Sequence, residues 1–182
     1  MNMPDAIAAA AQRAIAALKT AGYSIATAES CTGGLIGGAL TSVSGSSEVV
    51  YGGFITYAND AKSRMIGVPE RLIRDYGAVS AQVARAMADG ARNKGGVNVA
   101  VSSTGVAGPT GGSPNKPVGL VYLACATHEG TRVIEKRFGD LGREAIRDAA
   151  VLAALELVTD VATNGVQPPA PEPVVPAKTQ RR

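Results

Sequence analysis

Residues 27–38, TAESCTGGLIGG, are typical of the end of a strand, a tight turn and the start of a helix. The β-compatible segment 23–28 precedes the turn, and apolar residues recur at helical spacing after it. The glycine pair 33–34 lets a ligand approach the backbone closely, and N–H groups at a helix start favour an anion. The sequence therefore predicts a phosphate or oxyanion site beside Ser30 and Thr32, although hydroxyls at such positions are also common helix caps.

Composition and charge describe a globular chain without a basic surface. The 182 residues suit one domain with a full core, and 46% of them are hydrophobic. The net charge is +3, but residues 165–182 carry three basic and one acidic side chain, which leaves only +1 for the rest. With 4% aromatic residues and no Trp, the sequence does not favour nucleic-acid binding.

The cysteines and the apolar runs predict a cytoplasmic location. Cys31 and Cys125 form no C-x-x-C pair, and the chain begins without the pattern of a signal peptide. No apolar run approaches the ~20 residues that a membrane span requires. We therefore expect reduced thiols and no association with membranes.

The hydrophobic pattern predicts an α/β fold, with layered helices around a mixed, mostly parallel sheet in a single domain. Predicted strands cover residues 23–28, 49–57, 97–103, 118–127 and 131–138, and the last two form a hairpin. A glycine pair at 52–53 predicts a bulge or a close backbone contact in the second strand. The predicted domain covers residues 1–164, and residues 165–182 are predicted to be a Pro-rich disordered tail.

The scarcity of histidine limits the possible catalytic groups. The only histidine, His128, falls in the predicted hairpin turn, where histidines are usually solvated. A Ser-His-acid triad, a Cys-His pair or a zinc site would need it, so these arrangements are disfavoured. No acidic cluster indicates a metal ion, and we predict no metal and no cofactor.

A lysine is the alternative base for Ser30, because burial lowers the pKa of an amine. Tyr57 closes the second predicted strand, and Lys62 lies about one turn into the helix that follows. Strand ends and the loops after them form the active-site edge of an α/β sheet, so Ser30, Tyr57 and Lys62 are able to meet there. Spacing alone favours the simpler alternative, in which Lys62 is a solvated helix residue and Tyr57 a core ring with a wet hydroxyl.

A second Gly-rich loop follows the third predicted strand, from Thr104 to Pro117. Its glycines expose backbone N–H groups and Thr104 offers a hydroxyl, which suits a phosphate or an oxyanion. A loop of this length in a small domain is usually functional or disordered. Two such loops, each leaving a strand, predict a cleft lined by N–H donors.

Several motifs in a fixed order resemble the C-terminal domain of the CinA (competence/damage-inducible) family, over residues 5–163. They are TAESCTGG (27–34), GSS (45–47), GG (52–53), YANDAK (57–62), GV (67–68), GAVS (77–80), TGVAGP (104–109) and KPVG (116–119). Stand-alone members of that family are nicotinamide mononucleotide (NMN) deamidases. The resemblance implies hydrolysis of the NMN carboxamide to nicotinic acid mononucleotide and ammonia, in a homodimer.

The resemblance also implies roles for individual residues. Ser30 would be the nucleophile, Lys62 its base, and Tyr57 a helper in proton transfer through a covalent acyl-enzyme. The residues expected to bind substrate, by backbone N–H groups or side chains, are Thr32, Gly33, Gly34, Asn59, Thr104, Gly105, Ala107, Gly108, Arg143 and Arg147. Which loop holds the phosphate, and whether either arginine pairs with it or with a structural partner, stays open.

Three features depart from the family pattern. Thr110 stands where an acidic residue is usual, and residues 139–143, GDLGR, replace a shorter Gly-Asp-Arg segment, which affects the placement of Arg143. The extra N-terminal domain of larger members is not expected here.

Three alternatives remain. Cys31 would be the nucleophile in a thiol version of the reaction. A non-catalytic module would bind a nucleotide or a protein partner without turnover. The Pro-rich tail would carry an interaction in an extended polyproline form.

Overall fold

A computed structural model describes residues 3–166 of the chain. The helices and strands, with one 3-10 turn at Ser46–Glu48, follow one another in the order α1 (Asp5–Ala21), β1 (Ile25–Glu29), α2 (Leu35–Thr41), β2 (Val50–Ile55), α3 (Asn59–Ile66), α4 (Glu70–Tyr76), α5 (Ala81–Gly95), β3 (Val99–Gly105), β4 (Leu120–Thr127), β5 (Gly130–Arg137) and α6 (Arg143–Asn164). The predicted α/β class, with a final hairpin, is confirmed.

The five strands form one mixed sheet in the order β2-β1-β3-β4-β5. β1 pairs in parallel with both β2 and β3, whereas β4 runs antiparallel to β3 and to β5. All five residues of β1 are buried, as expected for a strand covered on both faces. Because β1, β2 and β3 run in the same direction, the segments that leave them meet at one edge of the sheet.

Helices cover the two faces of this sheet unequally. The Ala-rich face of α1 packs on α6, and together with α2 these helices enclose the larger core on one side. On the other side, α5 packs across β1, β3 and β4, and α3 and α4 pack on α5. The layered, single-domain arrangement predicted from the sequence is therefore confirmed.

The glycine pair in β2 behaves as predicted. The register with β1 shifts between Ile25 and Ala26, whose partners are Val50 and Gly52, so one residue of β2 is bulged out. A Cβ on Gly53 would collide with the Thr27 side chain in the neighbouring strand. β1 and β2 approach closely because Gly53 has no side chain.

Two predicted strand ends were wrong. β2 ends at Ile55, so Tyr57 lies in the connection to α3 and not in the sheet. β3 runs to Gly105, so Thr104 and Gly105 belong to a strand that pairs with β4. Strand pairing with β4 extends β3 beyond the point where its own sequence turns polar.

The last helix, α6, ends at Asn164, and the predicted domain boundary after residue 164 stays a prediction. Residues 167–182 of the predicted tail lie outside the part of the chain that the structure describes. Within residues 3–166, no helix combines the length and the apolar character needed to cross a membrane.

Candidate functional site

A small cavity lies where β1, β2 and β3 end. Ser30 directly follows β1, and its N–H donates to the Ser103 carbonyl of β3 at 3.0 Å. Lys62 reaches the same place from the first turns of α3. The cavity has a volume of about 230 Å³. Its lining consists of Ser30, Cys31, Tyr57, Asn59, Lys62, Ala78, Val79, Thr104, Gly105, Ala107 and Arg143.

Lys62 is almost completely buried, with 1% of its surface exposed. Its Nζ lies 3.1 Å from Ser30 Oγ, 2.9 Å from the Thr56 carbonyl oxygen and 3.3 Å from the Tyr57 carbonyl oxygen. Within residues 3–166, no carboxylate forms a salt bridge with it. The sequence allowed a solvated Lys62, and the structure excludes that alternative.

The surroundings of Lys62 favour its neutral form. Burial lowers the pKa of the amine below 10.5, and a weaker charge interaction with Cys31 opposes that shift. A neutral amine has two N–H donors and one lone pair. The two carbonyls accept the two N–H groups, which leaves the lone pair for the Ser30 hydroxyl. The geometry therefore suits a general base that accepts the proton of Ser30.

The backbone N–H groups after β1 already donate to a side chain of the protein. Glu29, with 1% of its surface exposed, points its carboxylate at the start of α2. Oε2 accepts from Thr32 Oγ1 at 2.7 Å and from the N–H groups of Gly34 and Ile36 at 3.0 Å each, and Oε1 accepts from Gly37 N–H at 2.8 Å. The anion at this helix start is therefore an internal carboxylate.

The cavity lining does not include Thr32, Gly33 or Gly34, whose predicted contacts with substrate stay predictions. Thr32 is fully buried and its hydroxyl bonds Glu29 and Ser103. The glycines are needed for the backbone, because both have a positive φ (60° and 98°) in the tight turn. The alternative interpretation was that a hydroxyl caps α2. The N-cap residue of α2 is Gly34, which has no side chain to serve as a cap.

The thiol next to Ser30 is in a poor state for attack. Burial, the largest effect, raises the pKa of Cys31 to about 11, although the Ser103 hydroxyl favours the thiolate slightly. Since the thiolate is the reactive form of cysteine, few molecules carry it near neutral pH. The geometry favours Ser30 over Cys31 as the nucleophile.

The two arginines of α6 have different surroundings. Arg147 donates from Nε to the Cys31 carbonyl at 3.2 Å and from Nη2 to the Thr32 carbonyl at 2.8 Å, and it does not line the cavity. Arg143 lines the cavity and donates to the Gly108 carbonyl at 3.0 Å and to the Tyr57 hydroxyl at 3.1 Å. Of the two, only Arg143 lines the cavity, and the predicted substrate contact of Arg147 stays a prediction.

The other residues predicted to bind substrate also differ in whether they line the cavity. Asn59, Gly105 and Ala107 line the cavity, and so does Thr104, whose hydroxyl is already used in a 2.8 Å bond to the Ala78 carbonyl. Gly108 accepts from Arg143 through its carbonyl and does not line the cavity, and the predicted contact of its N–H with substrate stays a prediction.

Sequence reasoning missed Ala78 and Val79 as wall residues, and it missed the role of Glu29. The GAVS motif at 77–80 was a signal for the first two, since a motif between two helices has no obvious packing role. Glu29 lay within the stretch that decides the fold, but its partners are backbone groups, which carry no sequence signal.

The charge of the cavity wall is one-sided. Arg143 gives the lining a positive charge, Lys62 adds an amine whose neutral form is favoured, and no carboxylate residue belongs to the lining. Such a wall attracts an anionic ligand. Across residues 3–166, no group of three or more His, Cys, Asp or Glu side chains is placed to hold a metal ion.

Comparisons with known proteins agree with the fold and its motifs. The sequence profile of the CinA C-terminal domain matches residues 7–162. A CinA-like protein of Geobacter sulfurreducens is 53% identical over 135 residues, which are 74% of this chain and 32% of that protein. A CinA-like protein of a Synechococcus species is 51% identical over 142 residues, or 78% of this chain and 34% of that protein. The chain thus spans about a third of the length of these curated relatives.

Solved structures show the same fold. The competence/damage inducible protein CihA of Agrobacterium tumefaciens is 50% identical and superposes with a TM-score of 0.84, covering 87% of this chain and 96% of that one. A CinA superfamily protein of Klebsiella pneumoniae is 28% identical, with a TM-score of 0.82 over 86% of this chain and 97% of that one.

Proposed function

The chain belongs to the CinA C-terminal domain family, and on that premise we propose that it is an amidohydrolase that converts NMN to nicotinic acid mononucleotide and ammonia. The observation that carries this proposal is the buried Lys62 amine, 3.1 Å from Ser30 Oγ and without an acidic partner among the described residues. A serine and a neutral lysine are sufficient for acyl transfer without histidine.

The chemistry follows from the protonation states. Neutral Lys62 removes the Ser30 proton as Oγ attacks the carboxamide carbon of NMN. The resulting Lys62 ammonium returns that proton to the leaving nitrogen, and ammonia departs, which leaves Ser30 esterified by the acyl group of nicotinic acid mononucleotide with its ribose phosphate attached. Water then attacks the ester, with Lys62 again as the base, and releases nicotinic acid mononucleotide.

The oxyanion formed in both steps needs N–H donors. The backbone N–H of Cys31 directly follows the nucleophile and makes no hydrogen bond within residues 3–166. An N–H in this position serves as an oxyanion donor in other hydrolases with a nucleophile on a strand–helix turn. We assign that role to Cys31 N–H, which separates the backbone function of this residue from its unreactive thiol.

Arg143 is the best candidate for the phosphate of NMN. It extends into the cavity from the first residue of α6, whereas Arg147 and the α2 start are occupied by protein partners. Its 3.1 Å contact with the Tyr57 hydroxyl also orients that ring at the cavity wall. Tyr57 then assists proton transfer, and Asn59 contacts the substrate from the start of α3.

Ammonia release from NMN tests the proposal. Wild-type protein should release ammonia, whereas Ser30→Ala and Lys62→Met should each lose at least ~10³-fold in kcat, because either change removes a reacting group. Mass spectrometry of the wild type during turnover should detect the acyl group of nicotinic acid mononucleotide on the peptide that contains Ser30.

Cys31→Ala separates the two candidate nucleophiles. It should keep the activity and the adduct, and an inactive Cys31→Ala protein with an active Ser30→Ala protein would transfer the role to the thiol. The second candidate function, a non-catalytic module, predicts that NMN binds without any ammonia release by the wild type. It is kept because the names of the relatives refer to competence and damage and not to a reaction.

A further inference from the structure

The turn that carries Ser30 is held by side chains of opposite charge, each acting on a different set of backbone groups. Glu29 accepts the N–H groups of Gly34, Ile36 and Gly37, and Arg147 donates to the carbonyls of Cys31 and Thr32. Neither side chain lines the cavity or contacts Ser30 Oγ. Their action on the nucleophile is therefore indirect.

We propose that Glu29 and Arg147 are positioning residues, which clamp the turn from its N–H and carbonyl sides and so fix Ser30 Oγ beside Lys62. The proposal deepens the proposed function and rests on it wherever turnover is the measured quantity. Near-attack geometry needs reacting atoms held to within a fraction of an ångström, so a loose turn would slow attack without abolishing binding.

The hydrogen-bond directions require Glu29 to act as a carboxylate. Four donors face its two oxygens, and a carboxylate provides only acceptors. Thr32 Oγ1 also lies 2.6 Å from Ser103 Oγ, and this contact connects the Glu29 network to β3. Ser103 also accepts the Ser30 N–H through its carbonyl. The clamp therefore extends from α2 through the turn into β3.

Glu29→Gln is the sharpest variant, because it keeps the volume and removes one acceptor. If the amide oxygen of the introduced glutamine takes the place of Oε2, the amide NH₂ group takes the place of Oε1 and faces the N–H of Gly37. In the reverse orientation, the NH₂ group faces the three donors that Oε2 accepts in the wild type. Glu70→Gln is the matched control, since Glu70 is also in the first turn of a helix but is exposed.

Amide hydrogen exchange tests the clamp without any substrate. In Glu29→Gln, exchange at Gly34, Ile36 and Gly37 should accelerate by about tenfold or more, as expected for a lost bond to a charged group. Exchange at Gly38, whose N–H donates to the Gly34 carbonyl, serves as the internal reference. Unchanged exchange at all three amides would overturn the clamp, whether or not the protein hydrolyses NMN.

Turnover and covalent labelling test the positioning. Per folded molecule, Glu29→Gln should lower both kcat and the rate at which a fluorophosphonate labels Ser30 by about tenfold, with KM for NMN within twofold. Faster exchange combined with wild-type turnover and labelling would make Glu29 merely structural and would refute the positioning role. A wild type that neither turns over nor is labelled would refute the proposed function, and exchange alone would then decide the clamp.

Arg147→Lys provides a second variant if Glu29→Gln does not fold. Lysine keeps the charge but cannot bridge two carbonyls with a fixed fork, so kcat should fall while KM stays within twofold. Arg143→Lys is the contrasting variant, because it should act mainly on KM. If Arg147→Lys raises KM and leaves kcat unchanged, Arg147 binds substrate and is not a positioning residue.

Discussion

At the scale of single residues, Lys62 combines a cost in stability with a gain in reactivity. The amine is buried at 1% exposure and finds only neutral oxygens around it. Unpaired burial penalises the ammonium form and so lowers the pKa of the amine, which in the proposed reaction favours the neutral base. The lowered pKa is therefore expected to appear both in the rate and in the folding free energy.

The pH dependence of stability should report Lys62. Its folded pKa lies below the unfolded value of 10.5, so between the two values the unfolded chain binds more protons than the folded one. The burial penalty is complete below the folded pKa, decreases as pH rises through this window, and vanishes above pH ~10.5. Relative to wild type, Lys62→Met should thus have its largest stability advantage at low pH and lose up to ~1.4 kcal/mol of it per pH unit.

Denaturant unfolding of both proteins from neutral to alkaline pH measures this difference. The matched control is Lys94→Met, since Lys94 is exposed near the end of α5. For NMN turnover, kcat/KM should rise with pH and level off above the same folded pKa. A pH-independent difference between wild type and Lys62→Met would mean that Lys62 titrates as an ordinary solvated lysine.

The proximity of Ser30 and Lys62 could be anticipated from sequence for a physical reason. With a single histidine in an exposed hairpin turn, the sequence left lysine as the base, and two parallel strands bring residues 30 and 62 to one edge. Glu29 could not be anticipated in this way, because the competition between a ligand and an internal carboxylate for the same N–H groups is decided by side-chain geometry.

At the scale of secondary structure elements, the position of Lys62 depends on how α3 packs against α5. Gly90, in the middle of α5, lies against the carbonyl of Ile66, the last residue of α3. A Cβ at position 90 would overlap that backbone oxygen. The sequence shows only a glycine inside a helical pattern, so this close contact was not predictable from periodicity.

Gly90→Ala should therefore destabilise the fold although alanine is the better helix former. Helix propensity favours alanine by ~1 kcal/mol, whereas overpacking against a backbone atom costs about 1–3 kcal/mol and displaces α3. Because α3 carries Lys62, NMN turnover should fall as well. Gly38→Ala in α2 is the control, since nothing lies within 4 Å of its Cβ position, and it should stabilise by up to ~1 kcal/mol.

Thermal or denaturant unfolding of the two variants decides this prediction. Equal stabilisation by Gly90→Ala and Gly38→Ala would show that α3 adapts without cost.

The ends of the strands also depend on neighbouring elements. β2 ends early as an edge strand, while β3 gains two residues from its pairing with β4. Local sequence fixes which strands exist, but the neighbouring strand decides where each one stops.

At the scale of the whole molecule, the described core and the cavity are complete within residues 3–166. Buried apolar residues run from Ile7 to Val161, and the cavity lining runs from Ser30 to Arg143. The predicted homodimer and the predicted interaction of the tail both stay predictions. The tail contributes +2 to the net charge of +3, so its removal leaves +1.

Ending the chain after Val166 should consequently leave folding and NMN turnover unchanged. Within residues 3–166, the hydrogen bonds around Ser30, Lys62 and Arg143 involve no residue beyond Arg147. We expect kcat and KM within about twofold of the full chain, because the reacting groups and their supports are retained. Size-exclusion chromatography with light scattering on both proteins shows in addition whether the tail contributes to a dimer.

The control for this truncation removes only seven residues more. Ending the chain after Thr159 deletes Val161, which is 1% exposed in the core between α1 and α6, and should lower stability by about 2–5 kcal/mol. If the Val166 truncation loses turnover while its unfolding transition is unchanged, residues 167–182 act on the site directly. The opposite pattern, a loss of stability with normal turnover per folded molecule, would mean that residues 167–182 stabilise the fold and do not act on the site.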